Sequence, residues 1–177
     1  MNISKIKVGE NPEKVNAVIE IPLGSNIKYE LDKDSGAVEV DRVLFSAMYY
    51  PANYGFVPNT LAADGDPADI LIINDNAFQA GSVVKCRLIG VLIMEDEAGM
   101  DEKLVAVTID KIDPTYKAVQ SLDDVSEATL NKIKNFFETY KMLEPNKWVK
   151  VKSFEGKEKA TQILQDAIDA YNITNNL

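Results

Sequence analysis

The chain has 177 residues, of which 46% are hydrophobic and 27% are charged, and its formal net charge at pH 7 is −9. This length and apolar content favour one domain, over residues 1–177, with a sizeable core. The acidic balance disfavours contact with the phosphates of bare nucleic acid, and no apolar run approaches the roughly 20 residues that a membrane-spanning helix needs. Residues 1–14 lack the apolar core of a signal peptide, so we expect a cytoplasmic protein.

The chain contains no histidine and a single cysteine, Cys86. This excludes Ser-His-Asp and Cys-His catalysis, every metal site that uses histidine, and a structural zinc or iron–sulfur site. Cys86 lies in the apolar stretch VVKCRLIGVLIM, which predicts a buried and inert thiol. A bound metal must therefore be held by oxygen, which points to Mg²⁺, Ca²⁺ or Mn²⁺.

The first half of the chain is rich in predicted strands. Residues 15–22 partly alternate between apolar and polar side chains, which predicts a strand that ends at Pro22. In residues 27–45, two alternating runs flank the letters DSG, which predicts a hairpin with a three-residue loop and Gly36 in the left-handed conformation. Residues 49–61 are rich in Pro, Gly and Asn and predict an ordered loop with short extended pieces.

Three apolar runs and then two helical patterns follow. The runs DILIIND, SVVKCRLIGVLIM and KLVAVTI predict buried strands. Residues 126–143 predict a helix capped by Ser126, with Leu130, Ile133, Phe137 and Tyr140 on one face. Residues 157–171 predict a second amphipathic helix. Strands before helices indicate an α+β fold, in which helices pack on a closed or strongly twisted antiparallel sheet.

The stretch LAADGDPADILI, residues 61–72, carries three close carboxylates, Asp64, Asp66 and Asp69. It does not fit the oxygen-ligand spacing of an EF-hand, because Ala68 occupies the fifth loop position counted from Asp64. Pro67 favours an extended Asp66, so the pattern predicts a rigid corner rather than a calcium loop. The stretch alone is equally typical of a solvated acidic turn in which Asp69 caps the next element.

A second acidic cluster, MEDEAGMDEKLVAV at residues 94–107, joins two predicted strands. Gly99 fits a turn, and Asp101 and Lys103 share a face of the outgoing strand. Many hairpin tips are acidic only because they are solvated, and that alternative stays open here.

The hairpin KYELDKDSGAVEVDR places two cations opposite each other. A three-residue loop sets Lys28 opposite Arg42 and Glu30 opposite Val40. Facing cations are destabilising unless an anionic group lies between them, so this pair is a candidate anion site. Alternatively, both long side chains are exposed and splay apart.

Tyrosines accompany these charges at Tyr49, Tyr50, Tyr54 and Tyr140, although tyrosine and Trp148 more often pack than react. Mg²⁺ usually takes only one or two carboxylates, with waters and substrate phosphates completing its coordination. A crowd of carboxylates with a few cations and phenols therefore indicates several Mg²⁺ ions and a phosphate-rich substrate. That combination is typical of metal-assisted phosphoryl hydrolysis.

The ordered motifs IEIP, KYELDKDSGAVEVDR, YPANYGF, DGDPADI, EDEAGMDEK and FFETYK together resemble the soluble family I inorganic pyrophosphatases of bacterial type. The resemblance extends from about residue 15 to residue 152. It implies an OB-type twisted antiparallel β-barrel flanked by C-terminal helices, and hydrolysis of pyrophosphate to two phosphates. It also implies several Mg²⁺ ions per subunit, for which Mn²⁺ or another divalent ion can substitute, and a homohexamer.

The resemblance also assigns roles to residues. It implies that metal is bound directly by Asp64, Asp69, Asp96 and Asp101, with Glu20 and Glu30 acting through water. Asp66 resembles the general base for a metal-activated water that attacks phosphorus directly. The implied phosphate-binding residues are Lys28, Arg42, Tyr54, Lys103, Tyr140 and Lys141. Tyr50 and Glu97 would support the carboxylates. One departure is Ala68, where the family usually has a larger aliphatic residue, and we expect a compensating neighbour.

Two other functions are compatible with parts of this pattern. One is a metal phosphohydrolase that prefers nucleotides or polyphosphate, although no Rossmann or P-loop glycine motif is present. The other is a non-catalytic Ca²⁺-binding or OB-type binding module. An OB module for nucleic acid should have a basic binding face, whereas this chain is acidic.

Overall fold

A computed structural model describes residues 3–32 and 35–176. In these residues the chain forms ten strands and two α-helices. The strands are β1 (Gly9–Glu10), β2 (Lys14–Ile21), β3 (Ile27–Leu31), β4 (Val38–Val43), β5 (Asn53–Phe56), β6 (Asp69–Ile73), β7 (Val83–Asp96), β8 (Gly99–Met100), β9 (Lys103–Thr108) and β10 (Val149–Gly156). The helices are α1 (Glu127–Thr139) and α2 (Lys157–Thr174), and short 3₁₀ turns occupy Ile3–Lys5, Pro114–Tyr116 and Leu122–Asp124.

The large sheet closes on itself. Its order is β1-β2-β5-β6-β9-β7-β10, and β2 also pairs with β7, so that β2, β5, β6, β9 and β7 form a ring. This closed, mainly β architecture with two late helices confirms the predicted fold class. The prediction of purely antiparallel pairing is wrong at one place, because β6 and β9 run parallel. A ring with an odd number of strands cannot alternate direction at every neighbour, so closure requires a parallel pair.

The barrel strands are buried on both faces, which explains their continuous apolar sequences. In β6, Ile70 and Ile72 pack in a cluster with Leu164 of α2, whereas Leu71 packs in a second cluster with Ile133 of α1. Alternate residues of one strand therefore face different helices. Burial on both faces holds each strand in place, and it thereby positions the polar residues at the strand ends.

Helix α1 begins where the sequence predicts. The Ser126 side chain accepts a hydrogen bond from the backbone N–H of Thr129, at 3.2 Å, which caps the helix. Ile133, Phe137 and Tyr140 are buried as predicted, and Phe136 is buried beside them. Because Tyr140 immediately follows α1, the packing of this helix determines where Tyr140 and Lys141 lie.

Strands β3 and β4 form a separate two-stranded sheet. Lys28 pairs with Arg42, as the hairpin pattern predicts, and Gly36 has the predicted positive φ, 71°. The predicted partner of Glu30 is wrong: Glu30 lies opposite Glu39, not Val40. A bulge beside Lys28 accommodates Asp41 as an extra residue and shifts the later register by one. Lys33 and Asp34, which belong to the predicted loop, lie outside the described residues.

Other expectations had mixed outcomes. Cys86 is fully buried, and burial raises the pKa of its thiol to about 12, as expected for an inert side chain. Trp148, which is predicted to pack, is 47% exposed and therefore only partly buried. Within residues 3–32 and 35–176, none of the helices has the length and apolarity to cross a membrane.

Candidate active site

A cavity of about 710 Å³ opens between the β3–β4 hairpin, the ends of β6, β7 and β9, and the segment after α1. Its charged and phenolic lining residues are Glu20, Lys28, Glu30, Asp32, Arg42, Tyr54, Asp64, Asp66, Asp69, Asp96, Glu97, Asp101, Lys103, Tyr140, Lys141 and Lys147. Every predicted site residue except Tyr50 lies in this set. The fold thus brings together side chains that are far apart in the sequence, from Glu20 to Lys147.

The parallel strand pair places an ammonium group among carboxylates. Asp69 and Lys103, the first residues of β6 and β9, are paired in register. The Lys103 ammonium contacts the carboxylates of both Asp69 and Asp101, and the residue is 4% exposed. Burial lowers the pKa of Lys103, but the two carboxylates outweigh this and raise it above its ordinary value. The side chain therefore stays protonated and can face an anion.

The acidic corner at residues 61–69 is a hydrogen-bonded turn. The Asp66 backbone N–H donates to Asp64 Oδ1 at 3.0 Å, and Gly65 has a φ of 91°, as the predicted bend requires. The backbone N–H of Ala68 donates to Thr60 Oγ1 at 2.9 Å, which attaches the turn to the segment that follows β5. Asp64 and Asp66 are exposed, yet both line the cavity, so this turn is solvated and part of the cleft at the same time.

Glu20 connects the barrel with the hairpin. Its Oε1 accepts a hydrogen bond from the backbone N–H of Leu31 at 2.9 Å. Burial raises the pKa of Glu20 to about 7, and the nearby charges of Asp69 and Glu30 act in the same direction. A nearby cation would favour the charged form of this carboxyl and would lower its pKa.

Two phenols of the cavity, Tyr54 and Tyr140, pack against other aromatic rings. The ring centroids of Tyr50 and Phe136 are 4.6 Å apart, and those of Phe136 and Tyr140 are 4.9 Å apart. Tyr50 is 3% exposed and packs 5.7 Å from Tyr54, so it supports two phenols that line the cavity. Burial raises the pKa of Tyr50, Tyr54 and Tyr140, which keeps their hydroxyls protonated as hydrogen-bond donors.

The segment after α1 contacts the opposite wall. Lys141 Nζ lies 2.9 Å from Asp96 Oδ2, and Lys147 pairs with Glu97. Burial raises the pKa of Asp96, but the hydrogen bond and charge of Lys141 outweigh this and lower it. These pairs hold the β7–β8 tip against the segment that follows α1.

Comparisons with known proteins show the family of this chain. A family model described as "Inorganic pyrophosphatase" matches residues 17–172. The chain belongs to the inorganic pyrophosphatase family. It is 66% identical over 171 residues to the inorganic pyrophosphatase of Campylobacter jejuni, a match that covers 97% of this chain and 99% of that relative. The predicted family is thereby confirmed.

Solved structures of pyrophosphatases superpose closely on the chain. The structure from Helicobacter pylori has 65% identity and a TM-score of 0.93, with 95% of this chain and 99% of that one covered. The structure from Thermus thermophilus has 43% identity and the same TM-score of 0.93, with 97% and 99% covered. The fold is therefore retained while more than half of the residues differ.

The donor chemistry of the cleft fits hard divalent cations. Nine carboxylates line the cavity against five cationic side chains, and hard cations prefer such oxygen ligands. Among the described residues, no three acidic side chains already converge as a ready metal cage. Ammonium groups lie between them instead, as Lys103 lies between Asp69 and Asp101. Because carboxylates outnumber cationic side chains in the cavity, bound Mg²⁺ or Mn²⁺ would offset the excess negative charge, and the residues fit such ions.

Sequence reasoning missed four residues in or beside the cleft, which are Asp32, Asp41, Glu144 and Lys147. Asp41 lies between the facing cations, 3.4 Å from Lys28 Nζ and in contact with Arg42. The expected anionic group between these cations is thus supplied by the bulge in the same hairpin. Glu144 and Lys147 were also missed, because nothing in their local sequence indicates a contact with residues far away in the chain.

Proposed function

We propose that this cleft binds several Mg²⁺ ions together with inorganic pyrophosphate, and that water attacks one phosphorus directly, without a covalent enzyme intermediate. Hydrolysis of pyrophosphate itself is the activity of the family to which the chain belongs. The observation that carries the proposal is the convergence of nine carboxylates and five cations on one cavity. A phosphate-rich substrate matches the cations, and divalent metals match the carboxylates.

The carboxylates divide into metal ligands and a proton acceptor. Asp64, Asp69, Asp96 and Asp101 would hold the metals, and Glu20 and Glu30 would act through water. When bound, Mg²⁺ supplies Lewis acidity that makes water more acidic and offsets charge on the phosphates. Asp66 would accept the proton of the attacking water. Its fixed turn with Asp64, at 3.0 Å, supports this role because it places the base beside a metal ligand.

The cations and phenols would hold the phosphates. The buried Lys103 keeps its charge, and the phenols of Tyr54 and Tyr140 keep their protons. With Lys28, Arg42 and Lys141, these groups supply donors for the charge that builds on the bridging and terminal oxygens. Tyr50 and Glu97 would act indirectly, by supporting Tyr54 and by anchoring the segment after α1.

The proposal includes the organisation of the protein. We take residues 1–177 as one domain that assembles into a homohexamer in the cytoplasm, without a nucleic-acid or membrane partner. Mn²⁺ or another divalent ion would substitute for Mg²⁺. Light scattering coupled to gel filtration measures the assembly, and a mass of one or two subunits would contradict the hexamer.

The function is tested by measuring phosphate release from pyrophosphate with Mg²⁺, with and without chelator. ATP and tripolyphosphate serve as parallel substrates. We expect rapid, chelator-sensitive release from pyrophosphate and slow release from the two alternatives. A preference for ATP or tripolyphosphate would instead favour a nucleotide or polyphosphate hydrolase, and chelator-resistant release would contradict the metal requirement.

A further inference from the structure

We propose that Glu144 is a positioning residue for Arg42: its carboxylate fixes the guanidinium, so that the free edge of Arg42 is held towards pyrophosphate. The inference rests on the proposed phosphate-binding role of Arg42. Nothing in the sequence motifs assigns Glu144 a role, because it lies 102 positions from Arg42.

The ion pair between Arg42 and Glu144 is mostly buried, unlike an ion pair on the protein surface. Arg42 Nε donates to Glu144 Oε1 at 3.1 Å. The side chain of Glu144 is 8% exposed and that of Arg42 is 24% exposed, so water screens the pair poorly. Arg42 lines the cavity, whereas Glu144 is not among the described residues that line it. Glu144 therefore contacts the guanidinium without itself forming part of the described cavity wall.

The two carboxylates on Arg42 leave one edge of the guanidinium for an anion. Glu144 accepts from Nε, and Asp41 accepts from Nη1. Within residues 3–32 and 35–176, no protein oxygen accepts a hydrogen bond from Nη2 of Arg42. A guanidinium is planar and its five N–H groups have fixed directions, so fixing Nε and Nη1 also fixes Nη2.

The fold explains why Arg42 needs a tether. It lies on the β3–β4 hairpin, a separate two-stranded sheet. Glu144 belongs to the turn after α1, where its backbone N–H donates to the carbonyl of Lys141 at 2.9 Å. The Glu144 contact thus joins the hairpin to the segment that carries two other phosphate-binding candidates. A long, rotatable arginine loses less entropy on binding substrate when it is already held.

The negative charges of Glu144 and Asp41 have two opposing effects on the ability of Arg42 to bind phosphate. Burial lowers the pKa of Arg42, but these two carboxylates outweigh it and raise the pKa, which keeps the guanidinium charged. The same negative charges weaken the attraction of the site for phosphate. Removing the charge of Glu144 and removing its hydrogen bond to Arg42 should therefore have different effects on phosphate binding. Different substitutions of Glu144 can separate these two effects.

A double-mutant cycle with Glu144→Ala and Arg42→Ala tests the inference. In the native background we expect Glu144→Ala to raise KM for pyrophosphate about tenfold, the cost of one charged hydrogen bond, while half-activation by Mg²⁺ stays within about twofold. In the Arg42→Ala background, Glu144→Ala should change KM by less than about twofold. Glu144→Gln keeps an acceptor oxygen but makes a weaker, uncharged hydrogen bond, and it also removes a charge that opposes phosphate, so its KM should rise less than that of Glu144→Ala.

The matched control is Glu138→Ala, since Glu138 pairs with Lys134 on the exposed side of α1 at 4.0 Å and is not among the described residues that line the cavity. We expect unchanged KM and kcat. A merely structural role would give the same loss in both backgrounds and would overturn the inference, as would an unchanged KM in Glu144→Ala. If Arg42→Ala itself leaves kcat/KM unchanged, the proposed phosphate-binding role of Arg42 fails instead. Melting temperatures of all variants show whether each one is folded.

Discussion

Asp69 and Lys103 are in-register neighbours at the first residues of the parallel strands β6 and β9, and their side chains form an ion pair. The same ammonium contacts Asp101, and only 5% of the Lys103 side chain is exposed. One internal cation thus partly balances two carboxylates that are predicted metal ligands. This relationship links the stability of the protein to its metal requirement.

Lys103→Met should destabilise the protein by about 3 kcal/mol in chelator, because the variant leaves two largely buried carboxylates without their partner. Mg²⁺ should raise the melting temperature of the variant more than that of the native protein, since a bound cation then offsets more unbalanced charge. Thermal denaturation with chelator and with saturating Mg²⁺ measures both effects.

The control for this experiment is Lys134→Met on α1, where the lysine side chain is 49% exposed. Its melting temperature should respond to Mg²⁺ as the native protein does. An identical Mg²⁺ response in Lys103→Met and Lys134→Met would show that the buried ammonium and the metals do not share the same carboxylates.

Asp66→Asn should lower kcat by at least about 100-fold, the usual contribution of a positioned general base. Metal binding should persist, because the substitution keeps the backbone N–H of Asp66 that donates to Asp64 in the turn. Turnover is measured by phosphate release and metal binding by titration calorimetry. Turnover close to the native rate would remove Asp66 from the role of base.

The sequence predicted local relationships well and distant ones poorly. The opposition of Lys28 and Arg42 was predictable, because strand alternation and loop length determine a hairpin register. The register beyond Lys28 was not, since the bulge at Asp41 leaves no local signal. The parallel pairing of β6 and β9 follows from closure of the ring, a property of the whole sheet that no single strand encodes.

The candidate site was predictable to the extent that it consists of recognisable motifs. Residues such as Asp64, Asp101 and Lys141 lie in those motifs, and the fold brings them to one cavity. Glu144 could not be predicted in the same way, because its partner Arg42 is 102 positions away and lies beside it only in the folded chain. Contacts of this kind depend on tertiary structure alone.

The raised pKa of Glu20, about 7, predicts a pH dependence of stability in metal-free protein. The unfolded carboxyl has a pKa near 4.5, so the folded state binds the proton more tightly between these two values. Stability should therefore fall as pH rises from about 4.5 to about 7, by roughly 1–3 kcal/mol from this group. Denaturant unfolding in chelator at several pH values measures this fall.

Glu20→Gln should lose that part of the pH dependence, since the amide does not titrate but can still accept the hydrogen bond from Leu31. The native protein should thus lose stability relative to the variant as pH increases. Parallel stability curves for the two proteins would show that burial of Glu20 does not raise its pKa. Added Mg²⁺ should reduce the difference, because a nearby cation favours the charged carboxylate.

Ca²⁺ should bind the cleft and inhibit the enzyme. Ca²⁺ takes six to eight oxygen ligands in flexible geometry, and the nine carboxylates of the cavity provide them. Mg²⁺ requires near-octahedral geometry and keeps several waters, so it activates water in a way that the larger ion does not. We therefore expect Ca²⁺ to raise the melting temperature as Mg²⁺ does, to support little phosphate release, and to be displaced by excess Mg²⁺ with recovery of activity. Full activity with Ca²⁺ alone would contradict the geometric requirement, and the absence of both stabilisation and inhibition would show that this cleft is not where the metals bind.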